Sequence, residues 1–467
     1  MSDSMDLVKQ RRVGWAGTTR RAVMGSAGAA TGAALVAACG IGQSASGPAN
    51  QVGKNHAPVT LTVWEHALFP WRNDVGKEIT DPLLAENPWL TIDSSTPPGN
   101  IQEKFMTAAA GGTPPDAYTN GDYQVQQDFV DGGTLNLEKY LATSKVLKKA
   151  DIWESLRRNI EFKGAMTGIP YAPDTRIFYT HDENAKKAGL DPAKPPATWT
   201  DVREQAKKAF KGTTGSVERL GWYPFMGSGG VYLWMVPYWQ LGGETTNADQ
   251  TKVTFFNDKA IQALTFLKQV VDDNGGWTAI DAFRKSFPDT NGYTLFMAGG
   301  ATFYHATLSE RGEQFKVKAP QMTYNLYSYP LPDKGGMVAN YGGCHCFAVA
   351  KGSKNPDVMF MAIEWFTRND NNIKFALRYD RVPIRESSTS SKEYVGTDKG
   401  RALQAQEMKR RRFVIAAPGG TEILPFQDVV TPFMSGQMSL TDALQTREKQ
   451  AQEVMDRYLA KSKTINP

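Results

Sequence analysis

The stretch Gly168–Lys208 constrains the fold more than any other. Gly168-Ile169-Pro170 closes one compact region, and Ile177-Phe178-Tyr179 opens another as a short apolar strand. Only the polar segment Tyr171–Arg176 separates them, its turn fixed by Pro173. A small helix is expected over Asp182–Ala188, stopped by Gly189. After Pro195-Pro196, Thr198 and Asp201 have the spacing of a capping box that opens the next helix. The rest of the chain reads as two lobes hung on this crossing.

On the amino-terminal side, Val59–Trp64 alternates and reads as the first strand. Its end, Trp64-Glu65-His66, falls at the carboxyl edge of a sheet, where α/β folds bind ligands. A helix over about 75–87 ends at Pro88, Leu90–Asp93 is a second strand, and Ile101–Ala110 is helical up to Gly111-Gly112. Gly112-Thr113-Pro114-Pro115-Asp116-Ala117-Tyr118 reads as helix stop, rigid turn and strand. Beyond the crossing, the Gly-rich loop Gly221–Gly230 leads into an aromatic helix over Val231–Leu241. Asn257-Asp258 cap a helix with Ile261, Leu264, Leu267 and Val271 on one face. Gly342–Ala350 is expected to return to the first lobe as a strand. This alternation predicts an α/β protein with mostly parallel strands.

Several of these segments, in this order, resemble the bacterial extracellular solute-binding proteins of ABC importers, the family of the maltodextrin- and glycerol-phosphate-binding proteins. The resemblance rests on Pro173-Asp174 before the apolar-Tyr strand, Lys187-Ala188-Gly189-Leu190, Pro196-Ala197-Thr198-Trp199, and the Gly-x-Pro-Pro-Asp run ending at Asp116. Phe296–Phe303 adds to it, with Thr302-Phe303 where Ala-Met is usual, as do Tyr329–Pro332, Arg381-Val382-Pro383 and Leu440–Leu444. It covers about residues 57–460. It implies a two-lobe periplasmic-binding-protein fold of type II, with discontinuous lobes joined by a hinge and ligand in the interlobe cleft. The first lobe is expected from 57–173 and 327–367, and the second from 178–322 and 372–467. Hinge crossings are expected at 174–177, 323–326 and 368–371. The implied function is the substrate-binding component of an importer, which captures a sugar or oligosaccharide by lobe closure. The implied partners are a small-molecule carbohydrate and the transmembrane subunits of an ABC permease; a monomer is expected, with no cofactor.

Candidate ligand contacts follow from both readings. Asp174 falls where relatives place a pocket carboxylate, though Asp is also a common turn residue; Arg176 is expected to pair with it. Trp64, Glu65 and His66 follow the first strand, and Trp64 suits a core position equally well. Asp122 and Tyr123 occupy the loop after the Pro-Pro-Asp strand, with Asn120 where some relatives carry Trp. Trp222 and Tyr232 are the favoured stacking aromatics, Tyr232 by its alignment with a sugar-stacking ring. Tyr341, Gly342 and Gly343 resemble a loop whose backbone lets ligand approach, and His305 and Arg381 complete the set. Cys344-His345-Cys346 lacks a second ligand pair at zinc spacing. On a strand both Cys face one way and His345 the other, so two buried thiols are expected and no metal.

The amino terminus concerns export. Lys9, Arg11, Arg12, Arg20 and Arg21 precede the uncharged, Gly-rich stretch Ala22–Ala38, which is too short to span a membrane comfortably. Thr19–Met24 fits the twin-arginine pattern, and Val36-Ala37-Ala38-Cys39-Gly40 resembles a lipobox. Residues 1–38 are thus expected to be a twin-arginine lipoprotein signal, Cys39 the lipidated residue and 39–56 a flexible tether. The protein is placed outside the cytoplasm, anchored to the cell membrane by lipid. The formal charge of +5 comes partly from the leader, and what remains is no footprint for nucleic acid. Two cysteines beyond Cys39 exclude a disulfide framework. The rival class is an exported glycoside hydrolase, but no Gly-x-Ser-x-Gly elbow and no His-Glu-x-x-His occurs. Within the binding class, Gly227–Gly230 could form an amide nest for a phosphorylated ligand such as a glycerol phosphate.

Overall fold

The structure, a computed structural model, describes residues 57–66, 70–227, 230–289, 292–409, 411–413, 419 and 427–463. The expected signal, the tether and Cys39 lie outside the described residues. Two five-stranded sheets organise the chain. The first has the order Leu90–Ser95, Val59–Trp64, Ala117–Gly121, Cys344–Val349, Ile169–Pro173. The second has the order Tyr324–Tyr327, Arg176–His181, Ala301–Thr307, Ser216–Trp222, Lys211–Thr213. The strand leaving the first sheet ends at Pro173 and the strand entering the second begins at Arg176. Asp174 and Thr175 alone make that crossing.

The sheets are mixed rather than mostly parallel. Val59–Trp64 pairs in parallel with both its neighbours, and Ser216–Trp222 with Ala301–Thr307. Cys344–Val349 runs antiparallel to both strands beside it, and Arg176–His181 antiparallel to both of its own. The cause is the crossing itself. A strand that re-enters a sheet from the other lobe arrives from the opposite end to one delivered by a βα unit.

Each lobe has its own core. The first gathers Leu61, Val63, Tyr118, Ile169 and Phe347, and the second gathers Phe178, Trp222, Trp234, Leu267 and Phe303. The returns between them differ from those expected. Tyr324–Tyr327 is still a strand of the second sheet, and Tyr329, Ala339 and Tyr341 are buried in the second core. The first core resumes at Cys344. It then keeps Phe375, Val382, Ile384 and Met408, beyond residue 372. Only later do Val429, Val430, Ala443, Leu444, Ala451 and Met455 join the second core. The final helix, Leu440–Ser462, also reaches back: Tyr458 packs on Phe129, Val130 and Phe162, and its hydroxyl accepts from Gln127 Nε2 at 2.6 Å.

Local signals work as the residues dictate. Thr198 Oγ1 accepts from the Asp201 N–H (3.1 Å), and the Asp201 carboxylate accepts from the Thr198 N–H (3.0 Å). That closes the capping box on the helix Trp199–Ala209. Thr198→Ala is expected to cost about 1 kcal/mol, seen as a lower urea midpoint with unchanged slope.

Two buried charged groups stand out beyond these signals. Arg311 grips Asp380 with two nitrogens, Nε at 3.0 Å and Nη2 at 2.8 Å, and reaches Asp398 with Nη1 at 2.9 Å. Arg401 Nε approaches Asp380 at 3.3 Å. Asp380 itself holds a left-handed backbone, φ +47°, at the end of the helix Asn369–Tyr379. The second is Asp128, on the helix Asp122–Val130. One of its oxygens accepts from Gln102 Nε2 (2.8 Å), and the other has no partner among the described residues. Burial, offset in part by that bond, pushes its carboxyl up to about 8. The folded state therefore holds a proton there that the unfolded chain releases. Its contribution is full below the unfolded value and is lost as pH rises toward 8. Asp128→Asn is expected to raise the melting temperature by an amount that grows between pH about 4 and about 8. A gain that is flat across that range would show that Asp128 is ionised in the fold.

Candidate ligand-binding site

The crossing carries a compact set of charges. Asp174 Oδ1 accepts from Arg176 Nη1 (2.5 Å) and from the Gly343 N–H (3.1 Å). Oδ2 accepts from Arg381 Nη1 (2.5 Å). The Asp174 N–H donates to the Gly343 carbonyl at 2.9 Å. All three charged side chains are buried. Arg381 reaches this point because the loop after Asp380 is tied down, with the Val382 N–H donating to the Pro173 carbonyl at 3.0 Å. The Arg176 guanidinium lies 4.5 Å from the centre of the Tyr341 ring. Asn340 Nδ2 donates to the Arg176 carbonyl (2.6 Å) and to Glu407 (2.9 Å), which fixes the strand Asn340–Gly342 beside the crossing. Thus Asp174, Arg381, Tyr341, Gly342 and Gly343 do come together, and Arg176 pairs with Asp174 as expected.

The first-lobe candidates divide. Glu65 is fully buried and committed: its carboxylate accepts from the Trp71 N–H (2.7 Å), Arg72 Nε (2.5 Å) and Ser94 Oγ (2.5 Å). It anchors the loop rather than offering a free acceptor. Asp122 is likewise buried and accepts from Asn159 Nδ2 (3.1 Å) and from the Tyr123 N–H (3.1 Å). Trp64 is partly buried against the first core, and Tyr123 is half-buried. His66 is exposed, held by its N–H on Thr119 Oγ1 (2.9 Å), with its ring 5.8 Å from that of His345.

In the second lobe the favoured aromatic is corrected. Trp222 is wholly enclosed by Phe178, Phe266 and Tyr329, and its Nε1 points at His305 Nδ1 (3.4 Å). It has no free face for a sugar ring. His305 is equally buried; burial, then the Arg176 charge, pulls it down to about 3, so the ring is neutral. The expected aromatic helix is a 3₁₀ turn, Gly230–Trp234, followed by the helix Met235–Gln240. The side chain of Tyr232 lies outside the described residues, as do Ser228 and Gly229 of the expected amide nest. Gly227 has a packing reason of its own. Its φ is +117°, and a Cβ there would stand 2.1 Å from the His305 carbonyl oxygen.

Three further residues belong to this site. Glu310 accepts from the Tyr304 hydroxyl (2.6 Å), and burial, with Arg176 and Arg381 opposing it, raises its carboxyl to about 7. Glu313 approaches Arg381 Nη2 at 3.9 Å. His345 lies beside the crossing, on the strand residue paired with Ala172. Burial, then Arg381 and His66, pulls it down to about 3. Its flanking cysteines, Cys344 and Cys346, are buried. The alternation of that strand was the signal for His345; Glu313, on an irregular turn, carried none. The cluster sets two arginines against Asp174 and Glu313, the Glu313 carboxyl raised from its ordinary value by burial and then lowered in part by Arg381, and it holds two neutral imidazoles, His305 and His345.

Two interleaved α/β lobes, with polar groups gathered where the chain crosses between them, define a two-lobe binding fold. Residues 85–400 match the family described as bacterial extracellular solute-binding protein, and the chain belongs to that family. Among solved structures, CpMnBP1 with mannotriose bound superimposes with a TM-score of 0.72 at 20% identity, covering 84% of this chain and 100% of the other. The probable amino-acid ABC transporter periplasmic-binding protein y4oP of Sinorhizobium fredii is 23% identical over 211 residues, 44% of each chain. The sn-glycerol-3-phosphate-binding periplasmic protein UgpB of Agrobacterium fabrum is 33% identical over 184 residues, 34% of this chain and 37% of its own. The alignments thus span less than half the length of these two relatives.

Proposed function

We propose that the protein is the substrate-binding component of an ABC importer, working outside the cytoplasm, and that its ligand is a neutral sugar or oligosaccharide. The ligand settles between the lobes, the lobes close about the crossings, and the closed form docks on the permease. No bond is made or broken. Lipidation of Cys39, after removal of residues 1–38, holds the protein at the membrane surface. The observation that carries the choice of ligand is the charge balance at Asp174. Arg176 and Arg381 are both engaged by Asp174, and Glu313 stands 3.9 Å from Arg381 as a second carboxylate, so a neutral polyol meets polar groups without adding a charge that needs an answer. The mannotriose bound by CpMnBP1 points the same way.

A phosphorylated ligand is the second reading, favoured by the relatives named for sn-glycerol 3-phosphate. It requires Arg176 or Arg381 to exchange Asp174 for the phosphate. A thermal-shift screen of residues 57–467 against neutral mono-, di- and trisaccharides, sn-glycerol 3-phosphate and amino acids separates the two, because a ligand specific to the folded state raises the melting temperature. A rise with neutral sugars is expected. A rise with sn-glycerol 3-phosphate alone moves the assignment to the second reading.

A further inference from the structure

Around the Asp174–Arg381 pair, three buried polar atoms have no hydrogen-bond partner among the described residues: Arg381 Nε, Glu313 Oε1 and His345 Nδ1. Groups of this kind are rarely left unsatisfied in a folded protein, and a cluster of them marks a place where something else completes the bonds. Their supports are rigid. Arg381 is fixed by Asp174 at one nitrogen, and its side chain is 10% exposed. Glu313 sits on a wide π-type turn, Arg311–Phe315, whose two ends are pinned. Arg311 is locked on Asp380, and Phe315 is buried in the second core. Such turns re-aim side chains and recur at functional sites. His345 is held by the antiparallel pairing of its strand on both sides.

We propose that Glu313, together with Arg381 and His345, forms a subsite that takes one hydroxyl group of a neutral sugar and refuses a phosphate. A hydroxyl both accepts and donates. It accepts from Arg381 Nε–H, which has no hydrogen-bond partner among the described residues, and donates to Glu313 Oε1. The neutral His345 takes whichever part of a second hydroxyl remains. A phosphate oxygen can only accept. It satisfies Arg381 but faces the Glu313 carboxylate without a proton to share, and the Arg381 charge is already divided between Asp174 and Glu313. Discrimination here comes from the repulsive partner as much as the attractive one.

This inference rests on the sugar-binding reading, and the experiment separates the two. Titrations of the wild type with neutral saccharides, mannotriose among them, and with sn-glycerol 3-phosphate test that reading alone; absence of any saccharide binding defeats it and the subsite with it. Given binding, Glu313→Ala is expected to weaken the best saccharide by roughly 10- to 100-fold, with Glu313→Gln intermediate because an amide oxygen still accepts. Glu313→Gln is also expected to gain measurable affinity for sn-glycerol 3-phosphate. Unchanged melting temperatures of the unliganded variants show that the fold is kept. Saccharide affinity equal to wild type in Glu313→Ala, or no change of the phosphate response in Glu313→Gln, overturns the subsite and leaves the sugar-binding reading standing.

Discussion

Asp380→Ala is expected to lower the free energy of unfolding by about 3–5 kcal/mol. The carboxylate is almost completely buried, and it receives both prongs of Arg311, itself 8% exposed. Removing it leaves a guanidinium in a dry environment with Asp398 as its one remaining acidic partner among the described residues. Breaking a buried pair from one side costs far more than the intact pair contributes, since the remaining charge keeps its desolvation penalty. A second term adds to this: alanine at φ +47° carries a left-handed strain of about 1–2 kcal/mol. Asp380→Gly removes that strain but not the charge defect, so it isolates the electrostatic part. Urea unfolding of the three proteins gives the numbers. A loss below about 1 kcal/mol in Asp380→Gly would mean that water reaches Arg311 and that the pair behaves as a surface one.

Asp174→Ala is expected to have the second-largest effect, and on two observables. Arg176 and Arg381 are both buried and both lose their shared acceptor, so stability falls by several kcal/mol by the same reasoning, about 3–5 if neither finds water. The Gly343 N–H loses its side-chain acceptor too. Since that contact ties the outgoing crossing to the returning one, the ligand response is expected to vanish even at temperatures where the variant stays folded. Asp174→Asn keeps an oxygen for Gly343 and is expected to fall between the two. Thermal melts with and without the best saccharide decide the matter. A variant with wild-type melting and wild-type ligand response would remove Asp174 from both roles.

What the sequence revealed depended on whether a local signal existed. The first crossing was legible because Pro173 and the apolar run from Ile177 bracket it so closely. The capping box at Thr198 and the Gly-terminated helices were legible for the same reason: their chemistry acts within four residues. The later crossings carry no such mark. Tyr324–Tyr327 and Tyr329 look the same in sequence whether they close the second lobe or open the first, and only their pairing with Arg176–His181 decides it. The site was half legible. Asp174 and Arg381 stand 207 residues apart and were each named on separate grounds, but their contact follows from packing alone. Trp222 misled because aromatic composition does not distinguish a ring that meets ligand from one that fills a core.

The interleaving of the two cores has a consequence for biogenesis. The first core needs Met408 and the second needs Met455, so neither can close on a nascent chain until most of the protein has left the ribosome. Domains made of one continuous segment can finish folding in turn as they emerge. Here the amino-terminal strands wait, apolar faces open, for partners translated more than two hundred residues later. A chain that stops before Met408 completes neither core, and one that stops between Met408 and the last helix completes at most the first.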